Sequence, residues 1–213
     1  MRETSKLRNL DEHNSNVISD FLDIYFYPKI FNPNKYKFER IYNKKQQIEG
    51  LDIIITNIEN NNQIGIDEKS AVHYINKKLN TFSLELSFID KNNNIHEGWL
   101  LDNNKKNNYF LFVWIDKALK TPLSNIEDIK EIEIALIKKD IILNYLSKLG
   151  WSKSKLLTKS KKIRNNPNEY KGNINIHNCK FTSSNHLVEK PINVLLSRNK
   201  IIELSNKHIK INL

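Results

Sequence analysis

Alternating apolar and polar residues predict a helix followed by a β-hairpin in the first third of the chain. Apolar side chains recur at helical spacing over residues 17–26, and Pro28 ends that run. Two runs of apolar and β-branched residues follow at 51–58 and 63–70, and three asparagines at 60–62 form a turn between them. We therefore expect an antiparallel hairpin after the first helix.

The pattern beyond this hairpin predicts a longer series of strands, with helices towards the C-terminus. Strands are predicted at residues 81–89, 95–101, 109–115, 131–138, 192–196 and 208–211. Helices are predicted at residues 140–150, 152–164 and 201–204. This order predicts a meandering central sheet with helices at both ends of the chain, and hence a three-layer fold of the α/β or α+β class.

The composition is that of a folded domain rather than a disordered chain. Of the 213 residues, 39% are hydrophobic and 27% are charged, which provides enough apolar material for a core. The length favours one domain with elaborations. We expect the core in residues 1–120, while residues 121–213 form either the C-terminal part of the same domain or a small appended basic subdomain.

The sequence lacks the features of secreted and membrane proteins. No stretch approaches the roughly 20 apolar residues that a membrane helix needs, and no apolar signal-peptide core follows the N-terminus. Cys179 is the only cysteine, so it cannot form a disulfide within the chain. We therefore expect a cytoplasmic protein that does not associate with membranes.

The positive net charge favours a polyanionic partner such as a nucleic acid. At +10 it would raise the local concentration of such a partner, although codon bias in an AT-rich genome would give a similar composition. Basic residues of the predicted helix at 152–164 are candidates to contact phosphates, with a solvated basic face as the alternative. These residues are Lys153, Lys155, Lys159, Lys161, Lys162 and Arg164.

Three charged residues of the predicted hairpin form the candidate chemical site. Asp52 lies at the mouth of an otherwise apolar strand, where a carboxylate needs a counter-charge, hydrogen bonds or a cation. On the second strand, alternation directs Asp67 and Lys69 to one face and Glu68 to the other. Because the two strands are joined by a short turn, we expect Asp52 to lie near Asp67 and Lys69.

Two carboxylates beside one ammonium group suit the chemistry of a hard divalent cation. Mg²⁺ prefers oxygen ligands and is held by one or two carboxylates together with substrate phosphates. Lys69 could orient the attacking water or stabilise the charge that develops on the phosphate, whereas strong desolvation would favour a role as a base. We therefore predict Asp52 and Asp67 as metal ligands and Lys69 as a catalytic group.

At these positions the sequence resembles the PD-(D/E)xK nuclease superfamily, through Asp52 followed by Asp67-Glu68-Lys69, over roughly residues 10–115. The resemblance implies a restriction-endonuclease-like core, with a central mixed sheet flanked by helices and with residues 121–213 as C-terminal elaboration. It also implies phosphodiester hydrolysis that depends on Mg²⁺ or Mn²⁺. The chain departs from the family pattern in two ways, because no proline precedes Asp52 and because Glu68 replaces an apolar residue. Glu68 therefore stays an alternative ligand if the strand is bulged.

Two further acids enter through resemblance. The superfamily implies an optional acidic ligand on the first helix, for which Glu12 ranks ahead of Asp20 and Asp23, with a solvated helix face as the alternative. The segment from Asp67 to Phe110 also resembles bacterial proteins of similar size, and this suggests that Glu85 belongs to the site. For Glu85, a structural salt bridge is the alternative.

These expectations lead to two functional hypotheses. The first is a metal-dependent DNA endonuclease in a restriction or phage-defence setting, where cutting both strands makes a homodimer plausible. The second is a catalytically inactive nucleic-acid-binding or interaction module of the same fold. Cleavage of DNA in the presence of a divalent metal ion separates the two.

Overall fold

The computed structural model describes residues 2–170, 172–185 and 187–213. Its helices are α1 (Arg2–Phe21), α2 (Tyr27–Ile30), α3 (Lys44–Ile48), α4 (Lys139–Lys148), α5 (Lys153–Asn165) and α6 (Arg198–Leu204). Its strands are β1 (Tyr36–Arg40), β2 (Ile53–Asn57), β3 (Gln63–Ser70), β4 (Thr81–Ile89), β5 (Ile95–Glu97), β6 (Tyr109–Ala118), β7 (Ile129–Lys138), β8 (Gly172–Ile176), β9 (Cys179–Ser183), β10 (Ile192–Ser197) and β11 (Lys207–Asn212). No helix in these residues is long and apolar enough to cross a membrane.

Six strands form the larger sheet, in the order β1-β2-β3-β6-β7-β11. The predicted hairpin is confirmed, because β2 and β3 pair antiparallel with Ile53 opposite Ile66. On its other side β3 pairs in parallel with β6, with Asp67 opposite Phe110. The sheet is therefore mixed, and β3 is the strand at which the direction of pairing changes.

The predicted single meander is wrong. The strands β4 and β5 leave the larger sheet and join a second one, in the order β5-β4-β10-β9-β8. A parallel pair needs a long crossover, and residues 71–108 provide it between β3 and β6. Apolar alternation identifies the buried face of a strand such as β4 but not its partner, so the sequence pattern alone could not place these strands.

The larger sheet is covered on both faces. On one face, α1 and the π-helical turn Leu22–Phe26 bury Phe21 and Leu22 with the inward residues of β2 and β3. On the other face, Phe112 and Trp114 pack in a cluster with residues of the second sheet, α4 and α5. The protein is thus a mixed α/β structure in which a mixed sheet is flanked by helices.

The predicted helices are found at their predicted positions with one clear difference in length, and the short helices α2 and α3 were not predicted. The helices α4 and α5 confirm the predictions at residues 140–150 and 152–164. By contrast, α1 begins at Arg2, well before the apolar spacing at residues 17–26. The apolar period marks only the part of α1 that packs on the sheet, where Val17, Ile18 and Phe21 are buried.

Candidate active site

The β2–β3 hairpin places Asp52 directly beside Asp67. The hairpin register pairs Ile53 with Ile66. Asp52, which precedes Ile53, therefore lies opposite Asp67, which follows Ile66. The backbone N–H of Asp52 donates to the Ile66 carbonyl at 2.9 Å. Its carboxylate oxygen Oδ2 accepts from the Glu68 backbone N–H at 2.7 Å. Both contacts fix the Asp52 side chain against β3.

Asp67 and Lys69 form a direct ion pair on β3. The Lys69 Nζ lies 2.6 Å from Asp67 Oδ1, and Asp67 is only 4% exposed. Trp99 covers the ammonium, because Nζ lies 5.0 Å from the centre of its indole ring. The Trp99 contact was missed at the sequence level, where nothing joined this residue to β3. The alternation of β3 therefore gives Lys69 two partners, a carboxylate and an aromatic face.

Glu68 points to the opposite face of β3, towards α1. Its carboxylate accepts from Tyr27 Oη at 2.6 Å and from Ser19 Oγ at 2.9 Å. Arg40 Nη1 pairs with it at 2.8 Å. The pairing of β3 with β6 is regular from Ile66 to Ser70, so this strand has no bulge that would turn Glu68 towards Asp67.

The carboxylate of Asp52 lies close to other negative charges. Burial, together with the negative charges of Asp67 and Glu68, raises the pKa of Asp52 to about 7. Burial by itself would lower the pKa of Lys69, but the charges of Asp67 and Asp52 outweigh it and raise that pKa. Lys69 is therefore an ammonium group, and a bound cation would relieve the repulsion between the acids.

The two additional candidate acids lie in different clefts. Glu85 of β4 lines a cleft of about 760 Å³ together with Lys69 and Trp99, and its Oε1 accepts from the Trp99 backbone N–H at 3.4 Å. Burial raises the pKa of Glu85. Glu12 is exposed on α1 and borders a cleft of about 630 Å³, which Asp52 and Glu68 also line.

The helix α5 buries one stripe of side chains and exposes half of its six basic residues. Arg164 donates to the carbonyl and hydroxyl of Ser87, which ties α5 to β4. Lys153 pairs with a carboxylate and Lys159 lies over an aromatic ring. Lys155, Lys161 and Lys162 are exposed. Lys155 Nζ also donates to the Gly150 carbonyl at 3.1 Å. The predicted set thus divides into residues engaged within the fold and residues, such as Lys161, whose side chains are exposed.

The carboxylates of the hairpin are the groups at this place that could hold a metal ion. Among the described residues, no three His, Cys, Asp or Glu side chains are arranged to hold a metal ion. The available carboxylates at this place are Asp52 and Asp67. One or two carboxylates are the usual protein share of a Mg²⁺ site, since substrate phosphates and water complete it.

Comparison of the chain with known protein families, curated proteins and solved structures finds no match. The case for a function therefore depends on the geometry of the hairpin and on the chemistry of its side chains.

Proposed function

We propose that this protein is a divalent-metal-dependent nuclease of the PD-(D/E)xK type that hydrolyses phosphodiester bonds in DNA. The observation that carries the proposal is the arrangement of Asp52 next to the Asp67–Lys69 ion pair on one β-hairpin. The order of elements supports a restriction-endonuclease-like core, because a helix precedes three antiparallel strands and the third strand has a parallel neighbour.

In this proposal Asp52 and Asp67 hold Mg²⁺ or Mn²⁺ through their carboxylate oxygens. The ion supplies positive charge that polarises the scissile phosphate. Asp67 is the second ligand in preference to Glu68, because Glu68 is already bonded to Arg40, Tyr27 and Ser19 on the other face. The hydrogen bonds donated by these three residues satisfy the Glu68 carboxylate without a metal ion.

Lys69 acts in its charged form. The raised pKa of Lys69 favours a role in orienting water and in stabilising negative charge on the phosphate, rather than a role as a base. Asp67 holds Nζ at 2.6 Å, so the ammonium is already positioned before substrate binds. The preorganised charge costs little reorganisation during the reaction.

The rest of the surface offers a route for DNA binding. The net charge of +10 attracts the phosphate backbone. The exposed Lys155, Lys161 and Lys162 of α5 contact phosphates in this proposal and carry no sequence information. Cleavage of both strands would require two copies of the site or two successive cuts.

The direct test is cleavage of supercoiled plasmid in Mg²⁺ or Mn²⁺, with EDTA as the blank. We expect Asp67→Asn and Lys69→Met to lower the cleavage rate by at least about 100-fold, since the first removes a metal ligand and the second removes the ammonium group that stabilises charge on the phosphate. The matched control removes a remote ion pair of two strands, in which Lys210 lies 2.5 Å from Glu131. Glu131→Gln and Lys210→Met should keep the wild-type rate.

Two results would decide against cleavage by this site. Equal cleavage rates for wild type, Asp67→Asn and Lys69→Met would show that these residues do not form the catalytic site. DNA binding in EDTA without cleavage in either metal ion would instead support the catalytically inactive DNA-binding module.

A further inference from the structure

A small notch at Gly50 lies beside the Asp67 carboxylate. Gly50 has a φ of +79° and precedes β2. A Cβ at this position would lie 3.1 Å from Asn107 Oδ1, 3.3 Å from Lys105 Cδ and 3.5 Å from Asp67 Oδ2. Both oxygens therefore approach the same point, and only a glycine leaves that point open.

Asn107 presents a buried oxygen that has no hydrogen-bond partner. The residue is 5% exposed, and its Oδ1 has no partner in the part of the chain that the structure describes. The amide nitrogen donates to the Tyr109 carbonyl at 3.1 Å, which fixes which end of the amide faces the notch. A buried polar atom without a partner is costly, so Oδ1 calls for a donor or a cation.

The loop before β6 is held firmly over the notch. The Lys106 backbone N–H donates to the Glu49 carbonyl at 2.7 Å, and the Asn108 N–H donates to the Gly65 carbonyl at 2.9 Å. The ammonium of Lys105 is already engaged, since its Nζ donates to the Ile48 carbonyl at 2.5 Å. The position of the Asn107 amide is therefore fixed by the backbone on both sides of it.

Two acceptor oxygens that approach one point repel each other unless positive charge or a donor lies between them. Asp67 Oδ1 is bound by Lys69, and the other carboxylate oxygen approaches the notch. Side-chain amide oxygens are ordinary ligands of hard cations, alongside carboxylates and backbone carbonyls. An amide would add an oxygen without adding a third negative charge to the crowded pair of acids.

We propose that the amide oxygen of Asn107 is a further protein ligand, next to Asp67, of the divalent cation at this site, with Gly50 leaving the space it needs. This inference rests on the proposed metal-dependent function. It extends the donor set from two carboxylates to two carboxylates and one amide, contributed by the loops and strands around β3.

The test measures metal binding by the whole protein without nucleic acid. Isothermal titration calorimetry with Mn²⁺ gives the affinity, and the Mn²⁺-induced shift of the melting temperature gives an independent readout. Asn107→Ala should bind Mn²⁺ at least about tenfold more weakly, the smallest loss that even outer-shell partners of a metal site produce. The matched control is Asn103→Ala in the same loop, whose amide oxygen accepts from Lys153 at 2.8 Å, and it should bind like wild type.

Asn107→Asp tests the same oxygen if the alanine variant does not fold. A carboxylate in place of the amide oxygen should tighten Mn²⁺ binding, because added ligand charge raises affinity for hard cations. Affinity equal to or weaker than that of wild type in Asn107→Asp would overturn the inference.

Asp67→Asn separates this inference from the proposed function. If Asp67→Asn abolishes Mn²⁺ binding and Asn107→Ala leaves it unchanged, the notch holds water only, and the proposed function stands without Asn107. If the wild-type protein binds no Mn²⁺ by either readout, this inference fails, and the plasmid-cleavage assay decides the proposed function separately.

Discussion

The crowding of carboxylates around Asp52 predicts a specific dependence of stability on pH. The perturbation is Asp52→Asn, which keeps an oxygen to accept the Glu68 backbone N–H and removes the ionisable group. Because the pKa of Asp52 is raised in the folded protein, its ionised form disfavours folding. The stability that Asp52 contributes should therefore be greatest below the ordinary pKa of an aspartate and should be lost as the pH rises from about 4 to about 7.

The size of this loss follows from the pKa. A change from 3.8 to about 7 corresponds to about 4 kcal/mol. Asp52 is only partly buried, and contact with solvent reduces such a figure, so we expect about 2–4 kcal/mol between pH 4 and pH 7.5. This is a large share of the roughly 5–15 kcal/mol that holds a domain together.

Urea denaturation followed by tryptophan fluorescence, in EDTA and at several pH values, measures the effect. The difference between wild type and Asp52→Asn isolates this group, because other titrating residues are common to both proteins. Asp128→Asn is the matched control. The hydrogen bond from the Ser124 backbone N–H lowers the pKa of Asp128, so its removal should give a constant difference above pH 5.

A wild-type curve parallel to that of Asp52→Asn from pH 4 to pH 7.5 would refute the reasoning. Saturating Mn²⁺ adds a second check. A cation bound to the ionised acid should restore stability to the wild-type protein at pH 7.5 and should stabilise Asp52→Asn much less.

Three further predictions concern parts of the protein outside the hairpin. Arg198→Met should lower the free energy of unfolding by about 3–5 kcal/mol, because it removes the arginine partner of the largely buried Asp116 and Glu133 carboxylates. Urea denaturation measures this, and an effect no larger than that of Lys200→Met, which removes a more exposed ion pair with Glu203, would contradict it. Phe112→Ala should cost about 3–5 kcal/mol through the cavity it opens in the core, and an unchanged melting temperature would argue against the described packing. Replacement of Lys161 and Lys162 together by serine should lower the salt dependence of DNA binding by a slope of about 2, and an unchanged slope would exclude both as phosphate contacts.

The hairpin could be predicted from the sequence because its information is local. The β-branched runs and the asparagine turn define two strands, and β3 occupies residues 63–70 as predicted. The alternation that sends Asp67 and Lys69 to one face also follows from the chain itself, and the ion pair between them reflects it. The partners of Glu68 on α1 and β1 could not be predicted from the sequence, because these elements are distant from β3 along the chain.

The partners of the later strands could not be predicted, because pairing depends on contacts between distant segments. The sequence gives β4 an apolar face through Leu84 and Leu86 but does not choose β10 as its neighbour. The hairpin of β8 and β9 was missed as well. Its turn contains His177 and Asn178, both with positive φ, and only the asparagine is typical of such a turn.

The place of the candidate site follows from how the neighbours of β3 are staggered. The register sets Ile66 opposite Ile53, the first residue of β2, and also opposite Tyr109, the first residue of β6. From Ile66, β2 pairs with the N-terminal half of β3, and β6 pairs with the C-terminal half and runs in the opposite direction to β2. The loops that enter β2 and β6 therefore meet beside Asp67, one from each side of β3. This stagger brings the residues before β2 and those before β6 to the same carboxylate, although more than 50 positions separate Gly50 from Asn107 in the sequence.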